Sequence, residues 1–262
     1  MSTLYIIKIG GETLEKPEVL TELLKTLGAT KKQYILVHGG GRLASSVSEK
    51  LGIPQTMVEG RRITSEKTME VCTMVYAGYY SKQLVARLQS EGINALGMCG
   101  ADLGSIAAVK RPKEPVDFGM VGDIAHVQPK VFSMLLGQGV VPVVSAVTMG
   151  EDFQLLNTNA DVLASEIAIA MTGMHQVQLL YCFEKKGVLL DPNNEQSALE
   201  YLTPQEFLTL RASGQISHGM VPKLQSGFKA LGHGVEGCSI ISSEALEDKL
   251  QGRSCGTALK IA

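Results

Sequence analysis

Short uninterrupted apolar runs, rich in Val and Ile, alternate along this chain with longer segments whose apolar positions recur at helical spacing. The runs lie at Tyr5–Ile9, Tyr34–Val37, Ala95–Cys99, Val140–Ser145, Val177–Tyr181 and Cys238–Ile241. A strand that is apolar at every position is buried on both faces, because a half-exposed strand alternates. Between the runs the spacing predicts helices over 17–27, 42–51, 65–90, 130–136, 159–172, 203–212 and 220–231. Thr203-Pro204-Gln205-Glu206 reads as a capping box with proline at the first helical position. Asn159 precedes an alanine-rich run that carries Asp161 in its first turn, where the helix dipole favours negative charge. The alternation predicts an α/β fold with a mainly parallel sheet covered on both faces. A helix ending in Gly173 marks a seam near Thr172–Met174, expected to divide residues 1–172 from 173–262.

One stretch imitates a membrane span: no charge occurs from Val131 to Gly150. Gly137, Gly139 and Pro142 interrupt it, and its second half is β-branched, so it reads as a helix, a glycine turn and a buried strand. The start, M-S-T-L-Y-I-I-K, has no basic region followed by a long apolar one and no cleavage site. A net charge of -2 and only 5% aromatics, with no Trp, offer no footing for nucleic acid or an anionic membrane. The cysteines, at 72, 99, 182, 238 and 255, are odd in number and never spaced C-x-x-C, which suits free thiols in a reducing cytoplasm. The five histidines are equally dispersed, so no metal site is expected.

Two glycine clusters directly follow strands: Gly10-Gly11 after the first, and Gly39-Gly40-Gly41 after the second. Glycine there lets the backbone turn tightly and approach a ligand, and a following helix points free N–H groups at an anion. Ordinary strand-to-helix turns would have the same composition. Neither cluster is a G-x-x-x-x-G-K-[ST] loop or a G-x-G-x-x-G fingerprint. Lys8 breaks an apolar strand just before Gly10, and a lysine there must either reach solvent or meet a negative partner. Asn157-Thr158-Asn159-Ala160-Asp161 holds more amide and acid groups than a helix cap needs. Lys223 sits near a helix start, where the dipole disfavours it, which makes it either a solvated surface lysine or a functional one.

Taken together, I-I-K-I-G-G at 6–11, V-H-G-G-G at 37–41, G-R-R-I-T at 60–64, D-F-G-M-V-G-D-I at 117–124, L-N-T-N-A-D at 156–161 and I-S-H-G-M-V-P-K at 216–223 resemble the amino acid kinase family over nearly the whole chain. The resemblance implies a three-layer α/β/α sandwich whose N-terminal lobe holds an acylated amino acid and whose C-terminal lobe holds ATP. It implies transfer of a phosphoryl group to the γ-carboxylate of N-acetyl-L-glutamate, a step of arginine biosynthesis, with Mg²⁺ accompanying ATP. By the same resemblance, Lys8 and Lys223 stabilise the transferring group and Asp161 orients them. Gly40, Gly41, Arg62, Asn157 and Asn159 bind substrate, and Gly10, Gly11, Tyr181 and Gly187 join the two lysines on the nucleotide. A carboxylate acceptor is already ionised at neutral pH, so no general base is needed and catalysis reduces to alignment and positive charge.

Tyr181-Cys182-Phe183-Glu184 departs from the family, whose members often carry Ser/Thr-Asp-Val there, and leaves the first nucleotide loop open. A non-catalytic acylglutamate sensor is therefore an alternative, as is a kinase of N-succinyl-L-glutamate, with Lys110 or Arg111 of the basic run 110–113 meeting the extra carboxylate. Another small-acid or carbamate kinase of the same fold is a further one. His218 is read either as a phosphate sensor or as a plain loop residue. The first strand begins at about Leu4 or Tyr5, without room for the extra leading helix of arginine-inhibited family members, so the expectation is an arginine-insensitive homodimer.

Overall fold

A computed structural model describes residues 2–58, 61–191, 193–216 and 219–261. The chain begins with β1 (Thr3–Ile9), α1 (Gly11–Glu15), α2 (Pro17–Ala29), β2 (Gln33–His38), α3 (Gly41–Lys50) and the hairpin strands β3 (Thr56–Val58) and β4 (Arg61–Ile63). Next come α4 (Glu66–Thr73), a π-helical segment (Met74–Tyr80), α5 (Ser81–Ser90), β5 (Ala95–Met98), β6 (Ile106–Lys110) and β7 (Gly122–Val127). Then follow α6 (Pro129–Gly137), β8 (Val141–Ser145), β9 (Val147–Met149), β10 (Leu155–Asn157), α7 (Ala160–Met171) and β11 (Gln176–Phe183). The last part is β12 (Tyr201–Leu202), α8 (Pro204–Ala212), α9 (Val221–Gly232), β13 (Gly237–Ser242), α10 (Leu246–Leu250) and β14 (Thr257–Leu259).

All six apolar runs are strands, and the pairing among them is parallel, so the class is α/β as the pattern predicts. The chain divides into two compact units. One comprises Met1–Ile35 and Ala164–Ala262, the other Leu36–Leu163. The first strand thus groups with the C-terminal part of the chain.

In the unit formed by 1–35 and 164–262, β1 pairs with β11, and β11 with β13, both in parallel. Ile6, Ile7, Ile9, Leu179, Leu180, Ile240 and Ile241 are all fully buried there, which is why these strands are continuously apolar. β14 runs antiparallel to β13 and pairs with β12. The capping box of α8 forms as read: the Thr203 hydroxyl accepts from Glu206 N, and the Glu206 carboxylate accepts from Thr203 N at 2.8 Å.

In the 36–163 unit, β8 lies between β2 and β5, parallel to both. A second sheet, in the order β10-β9-β6-β7, escapes the sequence pattern, since its strands are short and carry polar or exposed positions. The uncharged 131–150 stretch holds most of α6, a turn with Gly139 at φ +69°, β8 and, beyond the single strand expected, the short strand β9. Among the described residues no helix is long and apolar enough to cross a membrane. The segment read as one helix over 65–90 is interrupted by the π-helical turn at Met74–Tyr80.

Candidate active site

In the 36–163 unit the chain leaves β2 at His38, turns through Gly39 and Gly40, and enters α3 at Gly41. The turn is walled by aromatic rings. A Cβ on Gly40 would lie 2.8 Å from Tyr76 Cδ1 and 2.8 Å from Tyr80 Cδ2, so only glycine fits between them. Both rings come from the π-helical segment and are buried, while the intervening Tyr79 is exposed. His38 is fully buried; its ring Nδ1 lies 2.9 Å from Gly39 O, which makes Nδ1 the donor. Burial lowers the His38 pKa to about 4, against the opposing effect of that bond.

Arg62, in β4, is 7% exposed and reaches this turn. Its Nη2 donates to Gly41 O at 2.7 Å and to Ser45 Oγ at 2.8 Å, and its Nη1 donates to Gln55 Oε1. Every one of these acceptors is neutral, and among the described residues no carboxylate pairs with Arg62. A buried guanidinium without a counter-charge is costly unless an anion completes it. Asn157, at the end of β10, donates from Nδ2 to Thr64 Oγ1 at 3.0 Å. The backbone of 118–120 is stitched between the two: Thr64 N donates to Phe118 O, Met120 N to Thr64 O, and Asn157 N to Met120 O. Gly119 is required here, with φ +70° and a would-be Cβ 2.3 Å from Thr64 O. Asn159 caps α7, its Oδ1 accepting from Asp161 N at 2.8 Å and Val162 N at 3.2 Å. Asp161 is buried in the first turn of that helix.

In the other unit, Lys8 is 7% exposed on β1, opposite Tyr181 of β11. Burial pushes the neighbouring Cys182 thiol up to about 12, with the Lys8 charge opposing the shift. Gly10 N donates to Cys182 O at 2.8 Å, and a Cβ there would come within 3.3 Å of Cys182 O and Phe183 Cβ. Gly11 faces open space. Thr13 Oγ1 and Ser243 Oγ, 2.7 Å apart, fasten α1 to the segment after β13. Lys223, in the first turn of α9, donates from Nζ to Gly219 O at 3.3 Å. Tyr181 is fully buried, its ring beside Gly227 of α9. Gly187 packs on Thr257, whose Oγ1 would lie 2.5 Å from a Cβ there. The unusual stretch 181–184 is a continuation of β11 as far as Phe183, with Glu184 exposed beyond it.

The structure therefore brings Gly40, Gly41 and Arg62 together, and adds Tyr76, Tyr80, Ser45 and Gln55, which no sequence motif marked. Asn157 is gathered instead with Thr64 and the 118–120 segment. Arg111 is already engaged: it forms an ion pair with Asp123 and lies 5.3 Å over the Phe118 ring. Lys110 Nζ lies 3.7 Å from Met120 Sδ. His218 lies outside the described residues. Among the described residues no group of three or more His, Cys, Asp or Glu is arranged to hold a metal.

The profile of the amino acid kinase family matches residues 3–242. The chain is 44% identical to the acetylglutamate kinase of Cytophaga hutchinsonii, over 99% of both chains. It is also 44% identical to the acetylglutamate kinase of Phocaeicola vulgatus, over 98% of each. Among solved structures it is similar to smu.665 from Streptococcus mutans, with a TM-score of 0.81 and 26% identity over 98% of both chains.

Proposed function

The chain belongs to the amino acid kinase family, and from that premise we propose that it transfers the γ-phosphoryl group of ATP to the γ-carboxylate of N-acetyl-L-glutamate in arginine biosynthesis. Near-full-length relatives that carry the acetylglutamate kinase name support this reading. The observation that carries it in this chain is Arg62: a buried cation, satisfied only by neutral acceptors, beside a glycine turn. Such a group takes a carboxylate in bidentate fashion and fixes an amino-acid substrate by an end that does not react.

In this reading Arg62, Asn157, Asn159 and the backbone of Gly40 and Gly41 hold the acylglutamate. Lys8, Lys223, Gly10, Gly11, Tyr181 and Gly187 serve the nucleotide. Asp161 orients the lysines. The attacking carboxylate needs no base, so each lysine acts by placing charge on the phosphoryl oxygens as the transition state forms. Mg²⁺ enters with the nucleotide, held chiefly by phosphate oxygens, in keeping with its preference for substrate phosphates over all-protein cages. The lobe assignment proposed is the N-terminal lobe, 1–172, for acylglutamate and dimerisation, and 173–262 for ATP, although the compact unit that contains 173–262 also includes 1–35, with Lys8, Gly10 and Gly11. A cytoplasmic homodimer completes the proposal, and exposed Met74, Tyr79 and Leu96 supply apolar surface for self-association.

The test is turnover with ATP, Mg²⁺ and N-acetyl-L-glutamate, trapping the acyl phosphate with hydroxylamine. Hydroxamate formed only in the presence of all three is the expected result. Nucleotide binding without any hydroxamate would leave the chain a binder and end the reading.

A further inference from the structure

Arg62 has a neighbour whose geometry goes beyond solvation. Tyr76 lies in the π-helical segment, a distortion that in folded proteins is often found at functional sites because it turns side chains out of α-helical register. Its ring edge bars any side chain at Gly40, at 2.8 Å from a would-be Cβ. A Cβ on Gly41 would lie 3.8 Å from the Tyr76 hydroxyl and 3.6 Å from Arg62 Nη2, so one residue of the turn borders both groups. The phenol is buried, which raises its pKa, and the Arg62 guanidinium close beside it opposes that shift. Cys72 is itself fully buried on α4, one turn earlier.

We propose that Tyr76 is a positioning residue for substrate recognition: its hydroxyl fixes the Arg62 guanidinium, and its ring fixes the Gly40 turn that Arg62 faces. The inference rests on the reading of Arg62 as the substrate's carboxylate anchor. Gln55, Ser45 and Gly41 O accept from Nη1 and Nη2 of Arg62, and the Tyr76 hydroxyl, on α4's continuation, borders the same group across Gly41. A guanidinium that must meet a carboxylate with two parallel N–H bonds loses affinity when its plane is free to swing. A flexible aliphatic side chain at position 76 would fill the space beside Gly40 but could not set that plane.

The experiment compares Tyr76→Phe, Arg62→Ala and the double variant in steady-state kinetics, with thermal unfolding alongside. Tyr76→Phe keeps the ring and removes only the hydroxyl. It should raise KM for N-acetyl-L-glutamate roughly 10-fold, the scale of one hydrogen bond to a charged group. The same variant should leave kcat and KM for ATP within about 2-fold, a split that general loosening of the fold would not give. In the Arg62→Ala background the Tyr76→Phe change should add little, because its effect passes through Arg62. Wild-type KM in Tyr76→Phe, beside a raised KM in Arg62→Ala, overturns this inference alone. Full additivity in the double variant overturns it too. An Arg62→Ala protein with unchanged KM overturns the substrate-anchor reading and this inference with it.

Discussion

The two glycine turns of this chain look alike in sequence and differ in what holds them. The turn after β1 is fastened by backbone: Gly10 N bonds to Cys182 O, and the space beside Gly11 is open. The turn after β2 is fastened by side chains, with Gly40 between two tyrosine rings and Gly41 O bound to Arg62. A turn built from backbone N–H groups recognises what any polyphosphate offers, while a turn lined by rings and a guanidinium can select one organic acid. Shape selectivity is expected to reside in the second, and generic charge handling in the first.

The most severe test of that contrast is on the charge side. Lys8→Ala should lower kcat by roughly 10²-fold or more, the scale of losing one preorganised transition-state contact. KM for the acylglutamate should stay close to wild type. A Lys8→Ala enzyme with near-normal kcat would remove Lys8 from phosphoryl transfer.

The next test substitutes the glycines themselves. Gly40→Ala forces a methyl against two ring edges at 2.8 Å, and overpacking of this kind costs about 1–3 kcal/mol. Its Tm should fall and its acylglutamate KM should rise. Gly11→Ala meets no neighbour within 4 Å, so its stability should remain within about 0.5 kcal/mol of wild type. Any rise in its KM for ATP then reports a ligand brought close to the backbone. Equal losses of Tm in both variants would erase the distinction between the turns.

A third test uses acid. His38 is neutral in the fold, with its pKa lowered by burial to about 4 from an ordinary 6.5. Between those values the unfolded chain binds the proton and the folded chain does not, so stability falls as pH drops from about 6.5 to 4. The slope from this one group approaches about 1.4 kcal/mol per pH unit at most. Denaturant midpoints measured across this window should decline less steeply for His38→Gln than for wild type. Parallel declines would mean that His38 is not buried neutral.

The smallest effect is expected at Arg111. It is paired with Asp123 and stacked on Phe118, so Arg111→Ala should leave KM for N-acetyl-L-glutamate within about 2-fold. A several-fold rise would show that the pair opens to receive substrate.

The apolar runs determined β1, β2, β5, β8, β11 and β13, because a strand buried on both faces must be apolar at every position. The glycines after β1 and β2, the cap at Asn159 and the capping box at Thr203 were equally legible, since each is a local requirement of backbone geometry. Lys8 stood out as a charge in an apolar run, and Arg62 only through its motif. The second sheet could not be read, because β9 and β10 are three residues long and β6 and β7 carry exposed positions. Position 181 shows the same limit from the other side: as a letter it stood where a nucleotide loop was expected, and in the fold it is a fully buried strand residue beside Gly227. The tyrosine wall had no signal at all in the chain. Tyr76 and Tyr80 lie 36 and 40 positions after Gly40 in sequence, on a segment whose periodicity reads as plain helix. Only the π-helical turn and the packing of that helix onto α3 decided that both rings close on one glycine, since contacts so distant along the chain are selected by tertiary packing and leave no trace in local pattern.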